Sequence, residues 1–215
     1  MSGADLSRIV AVVPVRSLSG AKSRLGEPLD PEERADLIMA LLRRTVAAAT
    51  ESARLDGVAV VSQDADLLEQ ARAMGAAPVL QVGDGLNEGL AETRDSACPG
   101  ATALLVLPAD LPGVSAEAID RVAEVARVAA AREPDRAVVV LVSDRHGTGT
   151  NALLVAPPDA IPFRFGERSR AAHAAEAAAA GATYVELDGP LSFDLDTPED
   201  LLDADNRGLN HEAGR

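Results

Sequence analysis

The chain has 215 residues, 47% of them hydrophobic and only 2% aromatic, and carries a formal net charge of -14. Such acidity and so few aromatic rings exclude a nucleic-acid surface, which needs basic patches and stacking platforms. Cys98 is the one cysteine, so no intramolecular disulfide can form, and neither a signal peptide nor an apolar run of membrane-spanning length is seen; a cytoplasmic protein without a membrane partner is expected.

The length and apolar content suffice for one sizeable core, so a single domain over 1–215 is expected, its ordered part running from about 8 to 207. A first β-branched apolar run, Ile9 to Val15, predicts a strand. It leads into PVRSLSGAKSRLG, residues 14–26, where Arg16, Lys22 and Arg24 stand among small residues on an otherwise acidic chain. Local cations of this kind suggest a bound phosphate, although neither the dinucleotide glycine fingerprint nor the phosphate-loop pattern is present, and a solvated basic loop is the other reading.

Asp30, Pro31 and Glu33 then start a helix over 31–50, with Leu37, Ile38, Leu41, Leu42 and Val46 on one face. A strand over 58–61, a helix over 65–74 and a strand over 78–82 follow. Next comes LNEGL at 86–90, opening a helix that runs to 97; Asn87 reads either as its cap or as a contact to a base or ribose.

The strand at 103–107 ends in LPADLP, residues 107–112, where two prolines stiffen the turn around Asp110. A helix over 115–132 and strands over 137–142 and 152–155 come next, the last two with no helix between them, which predicts an antiparallel strand or a small excursion. DRHGTGTNALL, residues 144–154, supplies two glycines and two threonines before the second of those strands, and its glycines let backbone N–H groups approach an anion. FRFGERS, residues 163–169, precedes an alanine-rich helix over 168–180 that holds Ser169 in its first turn, either as an anion site or as a plain cap. A strand over 183–187 completes an alternation that predicts an α/β fold with a mainly parallel sheet covered on both faces.

FDLDTPEDL, residues 193–201, is the most acidic of these strand ends. As a strand, residues 193–196 would put Phe193 and Leu195 on one side and Asp194 and Asp196 on the other. Paired carboxylates suit a hard divalent cation; alternatively Asp196 or Thr197 caps the next helix, with Pro198 at its first position. His146, His173 and His211 lie far apart with no cysteine nearby, so a zinc site lacks its usual spacing and ordinary surface or capping roles are expected for them.

Taken in order, PVRSLSGAKSRL, LNEGL, LPADLP, DRHGTGTNALL, FGERSRAAH and FDLDTPEDL resemble the phosphoenolpyruvate or 2-phospho-L-lactate guanylyltransferases of coenzyme F-420 biosynthesis. The resemblance implies a single-domain nucleotidyltransferase fold. It implies that phosphoenolpyruvate attacks the α-phosphorus of GTP, giving enolpyruvyl-diphospho-guanosine and pyrophosphate. It further implies Mg²⁺ on Asp110, Asp194 and Asp196, and phosphoenolpyruvate on Thr150, Gly166 and Ser169. Arg16 and Lys22 are the expected catalytic cations, and Arg16, Lys22, Arg24 and Asn87 the nucleotide contacts. Position 16 is Arg where many relatives carry Lys, which keeps charge but changes phosphate geometry. The implied functional partner is the downstream deazaflavin transferase, and a homodimer is compatible with the family.

Overall fold

The computed structural model describes residues 3–15, 30–195, 199–200 and 202–203. Strands and helices alternate: β1 (Ile9–Pro14), α1 (Pro31–Glu51), β2 (Gly57–Ser62), α2 (Ala65–Ala73), β3 (Ala77–Leu80), α3 (Leu86–Ser96) and β4 (Ala103–Val106). Then come α4 (Ala116–Arg132), β5 (Val138–Ser143), β6 (Thr150–Ala156), α5 (Ser169–Ala179), β7 (Thr183–Leu187) and a short 3-10 helix, Pro190–Ser192.

The strands form one seven-stranded sheet in the order β3-β2-β1-β4-β6-β5-β7. Every neighbouring pair is parallel except those made by β6, which runs antiparallel to both β4 and β5. The missing helix between β5 and β6 thus gives the antiparallel strand that the sequence predicts, because a short connection can only reverse the chain. As a result the start of β6 lies at the same sheet end as the C-termini of β1, β4, β5 and β7. The order also turns back at β1, with β2 on one side and β4 on the other, which creates the crevice where ligands of open α/β sheets bind.

Alternation along the strands sends side chains into two cores. One holds Val13, Val60, Leu105, Val140 and Leu154 against α1, α2 and α4. The other holds Val12, Val61, Val106, Leu141 and Leu153 against Leu90 of α3 and Ala177 of α5. Strands buried on both faces need near-continuous apolar sequence, which explains VVVLVS in β5 and TNALLVA in β6. Each fully buried Leu or Val contributes roughly 1.5–3 kcal/mol of transfer free energy.

Helix α1 begins with a capping box. The Asp30 carboxylate accepts from the Glu32 and Glu33 amides at 2.9 Å each, and Glu33 Oε2 accepts the Asp30 amide at 2.9 Å. Such a cap is worth about 1 kcal/mol. The apolar face of α1 divides its work: Ile38, Leu42 and Val46 enter the first core, whereas Leu41 packs on Phe193 and Leu195. The helix therefore also seats the acidic C-terminal segment. Among the described residues, no helix is long and apolar enough to cross a membrane.

Candidate functional site

Two groups of residues meet at the C-terminal end of the sheet. The first begins at Asp110, in the turn after β4. The Asp110 carbonyl accepts the Leu195 amide at 3.0 Å, which ties this turn to the acidic segment. Gly113 tightens the same junction: a Cβ there would lie 2.3 Å from the Pro190 carbonyl oxygen, closer than two such atoms can approach. Only glycine lets these backbones meet.

Residues 193–195 belong to no strand ladder, which corrects the predicted strand; the segment is held by the Asp110 turn and by α1. The predicted alternation nevertheless holds, since Phe193 and Leu195 are buried and Asp194 is partly exposed. Asp196, Thr197 and Pro198 lie outside the described residues, as do Arg16, Lys22 and Arg24. Asp110 and Asp194 are thus carried on adjoining segments. Hard carboxylate oxygens of this kind suit a divalent cation such as Mg²⁺.

Two further residues furnish this side without having been singled out in the sequence. Asn151 donates its amide to the Leu191 carbonyl at 3.1 Å and to Asp194 Oδ1 at 3.4 Å. Arg145 pairs with the buried Asp200, and its guanidinium carbon stands 4.9 Å from the centre of the Phe193 ring. Its pKa is raised first by the hydrogen bond to Asp200, with the charge of Asp194 adding to the effect. A protein cation therefore does stand beside the acidic segment.

The second group surrounds Thr150. Its hydroxyl lies 3.0 Å from His173 Nδ1, while His173 Nε2 accepts the Arg164 amide at 2.9 Å. Because Nε2 is an acceptor, a neutral ring must carry its proton on Nδ1 and donate it to Thr150 Oγ1. Burial, the largest cause, lowers the His173 pKa to about 4, and the ring is completely shielded from solvent. His173 is therefore neutral at physiological pH. It is neither a surface nor a capping residue, which corrects the sequence expectation.

The loop next to it is fixed from two sides. Phe165 donates its amide to Asn87 Oδ1 at 2.7 Å, and its carbonyl accepts from Asn87 Nδ2 at 3.0 Å. The cap of α3 is Gly85, without a side-chain bond, so Asn87 is not a cap: it is the second residue of the helix, within its first turn, and clasps the 163–166 loop. Gly166 follows at φ +127, a conformation side-chain-bearing residues rarely adopt. Ser169 is the first residue of α5 and is buried, while the cap position is filled by Arg168 in the left-handed region. The plain-cap reading of Ser169 is therefore corrected. Its amide and that of Arg170 are taken by the carbonyls of Gly166 and Thr148, at 3.2 Å each.

The start of β6 joins the two groups. The β5–β6 register shifts between Val142 and Ser143, so Ser143 faces Thr150 while Val142 faces Ala152, leaving Asn151 as a bulge. Counting back by simple alternation from Ala152 in the first core and Leu153 in the second, Thr150 would face the α1 side and Asn151 the α5 side. Their observed partners are the reverse. The bulge re-aims both side chains, one to each half of the site.

A family model described as "Guanylyl transferase CofC like" matches residues 9–212. A protein of Sphaerobacter thermophilus named phosphoenolpyruvate guanylyltransferase is 46% identical over 194 residues, 89% of this chain and 90% of that one. Another of that name from Rubrobacter xylanophilus is 46% identical over 195 residues, covering 90% and 91%. In three dimensions the chain is similar to a nucleotidyl transferase from Methanothermobacter, with a TM-score of 0.66 at 19% identity, covering 96% of this chain and 100% of that one. It is similar also to a Desulfovibrio desulfuricans structure described as a nucleotide-diphospho-sugar transferase, with a TM-score of 0.72 at 16% identity, covering 95% and 88%. The sheet order and the crevice beside β1 agree with that fold, and the chain belongs to the CofC-like guanylyl transferase family.

Proposed function

We propose that this protein joins GTP to phosphoenolpyruvate, releasing pyrophosphate and giving enolpyruvyl-diphospho-guanosine, in the cytoplasm and within coenzyme F-420 biosynthesis. The observation that carries the reading is the family membership combined with the bulged start of β6, which serves a carboxylate side and a hydroxyl side at once. Thr150, Gly166 and Ser169 form the acceptor side in this reading. The nucleotide lies toward β1 and α3 in this reading, bordered by Asn87, and Arg16, Lys22 and Arg24 are the cations assigned to its phosphates.

The acceptor phosphate has a second pKa near ~6 and is largely ionised at neutral pH, so its oxygen attacks without a general base. The reaction instead needs two polyanions brought together in line, with their charge neutralised. Thr150 supplies a hydroxyl whose oxygen already accepts from His173, which leaves its own proton for an acceptor oxygen. Gly166 gives the loop its turn, and the buried Ser169 stands where α5 begins. Mg²⁺, held by Asp110, Asp194 and Asp196, would offset charge on the triphosphate and on the leaving pyrophosphate. Arg16 and Lys22 are the catalytic cations of this scheme. The activated product passes to the downstream deazaflavin transferase.

Pyrophosphate release should be measured with GTP and Mg²⁺, offering phosphoenolpyruvate, 2-phospho-L-lactate or no acceptor, with the deazaflavin transferase present to consume product. Release that requires phosphoenolpyruvate supports the proposal. Preference for phospholactate moves it to the sister reaction. GTP binding seen as a thermal shift, with no release from either acceptor, indicates a non-catalytic nucleotide module.

A further inference from the structure

We infer that His173 is a positioning residue for the acceptor side of the reaction, acting through Thr150 and the loop that ends in Gly166. This rests on the acceptor reading given above. The ring is wholly buried, yet both nitrogens face polar groups of the candidate site and of its supporting loop. Nε2 accepts the Arg164 amide at 2.9 Å, two residues before Gly166. Nδ1 meets Thr150 Oγ1 at 3.0 Å. His173 is also placed one helical turn after Ser169 on α5, so the imidazole that bonds Thr150 and the chain two residues before Gly166 stands on the helix that Ser169 opens.

A buried imidazole is not needed to fill space, since an apolar side chain would do so without desolvating two nitrogens. What the ring adds is direction. By donating to Thr150 it fixes the hydroxyl as an acceptor from within the protein, so the hydroxyl proton is presented to the opposite side. By accepting from Arg164 it fixes the path of the chain into Phe165, which Asn87 clasps from the other side. The Phe165 ring meets the imidazole edge to face, with centroids 5.0 Å apart, and restricts its rotation. Protonation would put a second N–H against the Arg164 amide, so only the neutral Nδ1–H form fits.

Two conservative variants separate the bonds. His173→Asn keeps a donor near the Nδ1 position and loses the loop bond, whereas His173→Gln places its amide oxygen near the Nε2 position and loses the Thr150 bond. Steady-state kinetics should show His173→Gln raising KM for phosphoenolpyruvate about tenfold, the effect of one lost hydrogen bond, with KM for GTP changed less than about twofold. Thr150→Val, which keeps shape and loses the hydroxyl, should give a similar rise, and the Thr150→Val/His173→Gln double variant no further one. Parallel rises for both substrates, or additive effects in the double variant, would overturn the inference.

A substrate-free readout keeps the inference separate from the acceptor reading. Nitrogen chemical shifts of the labelled ring at neutral pH should show a neutral imidazole protonated at Nδ1. An Nε2–H tautomer or a charged ring sinks the positioning role even if phosphoenolpyruvate is the acceptor. The expected tautomer in a protein that ignores phosphoenolpyruvate but shows the same coupled KM effects with phospholactate supports the positioning role and refutes only the choice of acceptor.

Discussion

Removing the Asn87 amide tests how the acceptor loop is held. Asn87 makes both an accepting and a donating bond with the backbone of Phe165, at 2.7 and 3.0 Å, across 78 residues of sequence. In Asn87→Ala both are lost, while α3 gains a better helix former and loses no cap, because Gly85 holds that position. Each bond is worth about 0.5–1.5 kcal/mol net, and Phe165 is half-buried, so water replaces part of the loss. A cost of about 1–2 kcal/mol corresponds to a fall in Tm of about 2–8 °C for a chain of this size. Thermal unfolding followed by circular dichroism measures the first effect, and steady-state kinetics measures a rise in KM for phosphoenolpyruvate larger than that for GTP. An unchanged Tm with KM raised for GTP alone would refute the clasp and return Asn87 to a direct nucleotide contact.

Other perturbations act on different parts of the site. Asp194→Asn should leave Tm within a few degrees and lower kcat on the order of a hundredfold; full activity at saturating Mg²⁺ would remove that carboxylate from the metal set. Gly166→Ala meets no atom within 4 Å of its new Cβ, so its cost comes from the φ of +127 alone. That strain should cost about 1–3 kcal/mol, or be relieved by a loop shift that raises the acceptor KM; an unaffected variant in both respects contradicts it. For pH, the lowering of the His173 pKa from 6.5 to about 4 means that the unfolded chain binds this proton more tightly. Its contribution to stability is therefore full above about pH 6.5 and is lost as pH falls toward about 4, a difference of about 3 kcal/mol. Urea unfolding across that window should show a shallower acid loss in His173→Gln than in the parent protein, and equal slopes would be inconsistent with a buried neutral ring.

Most of the fold could be read from the chain because its strands are buried on both faces and its helices carry clear start signals. Asp30, Pro31 and Glu33 mark α1, and apolar runs such as VVVLVS mark strands whatever their neighbours. Phe193 and Leu195 showed their shared side in the sequence, yet not that they pack on Leu41 instead of extending the sheet. The candidate site was less legible. Thr150 was singled out by the resemblance of its run to the guanylyltransferases, but the exchange of faces between Thr150 and Asn151 comes from a bulge, which no two-residue alternation reveals. His173 looked ordinary because its partners, Arg164 and Thr150, lie 9 and 23 residues away. The FGERSRAAH run held the available signal: a histidine one turn into a helix, four residues after a buried serine. Arg145 was hidden for a similar reason, since Phe193 and Asp200 reach it only after the chain has crossed β6, α5 and β7.

The central claim is transfer of the guanylyl group to a phosphorylated enol. Its most direct test follows GTP labelled at the α-phosphate through incubation with the protein, Mg²⁺ and phosphoenolpyruvate, with the products separated and their masses determined. Label is expected in enolpyruvyl-diphospho-guanosine, formed one for one with pyrophosphate and absent without phosphoenolpyruvate. Label that stays in GTP, or passes only to GMP whether or not phosphoenolpyruvate is present, would contradict it.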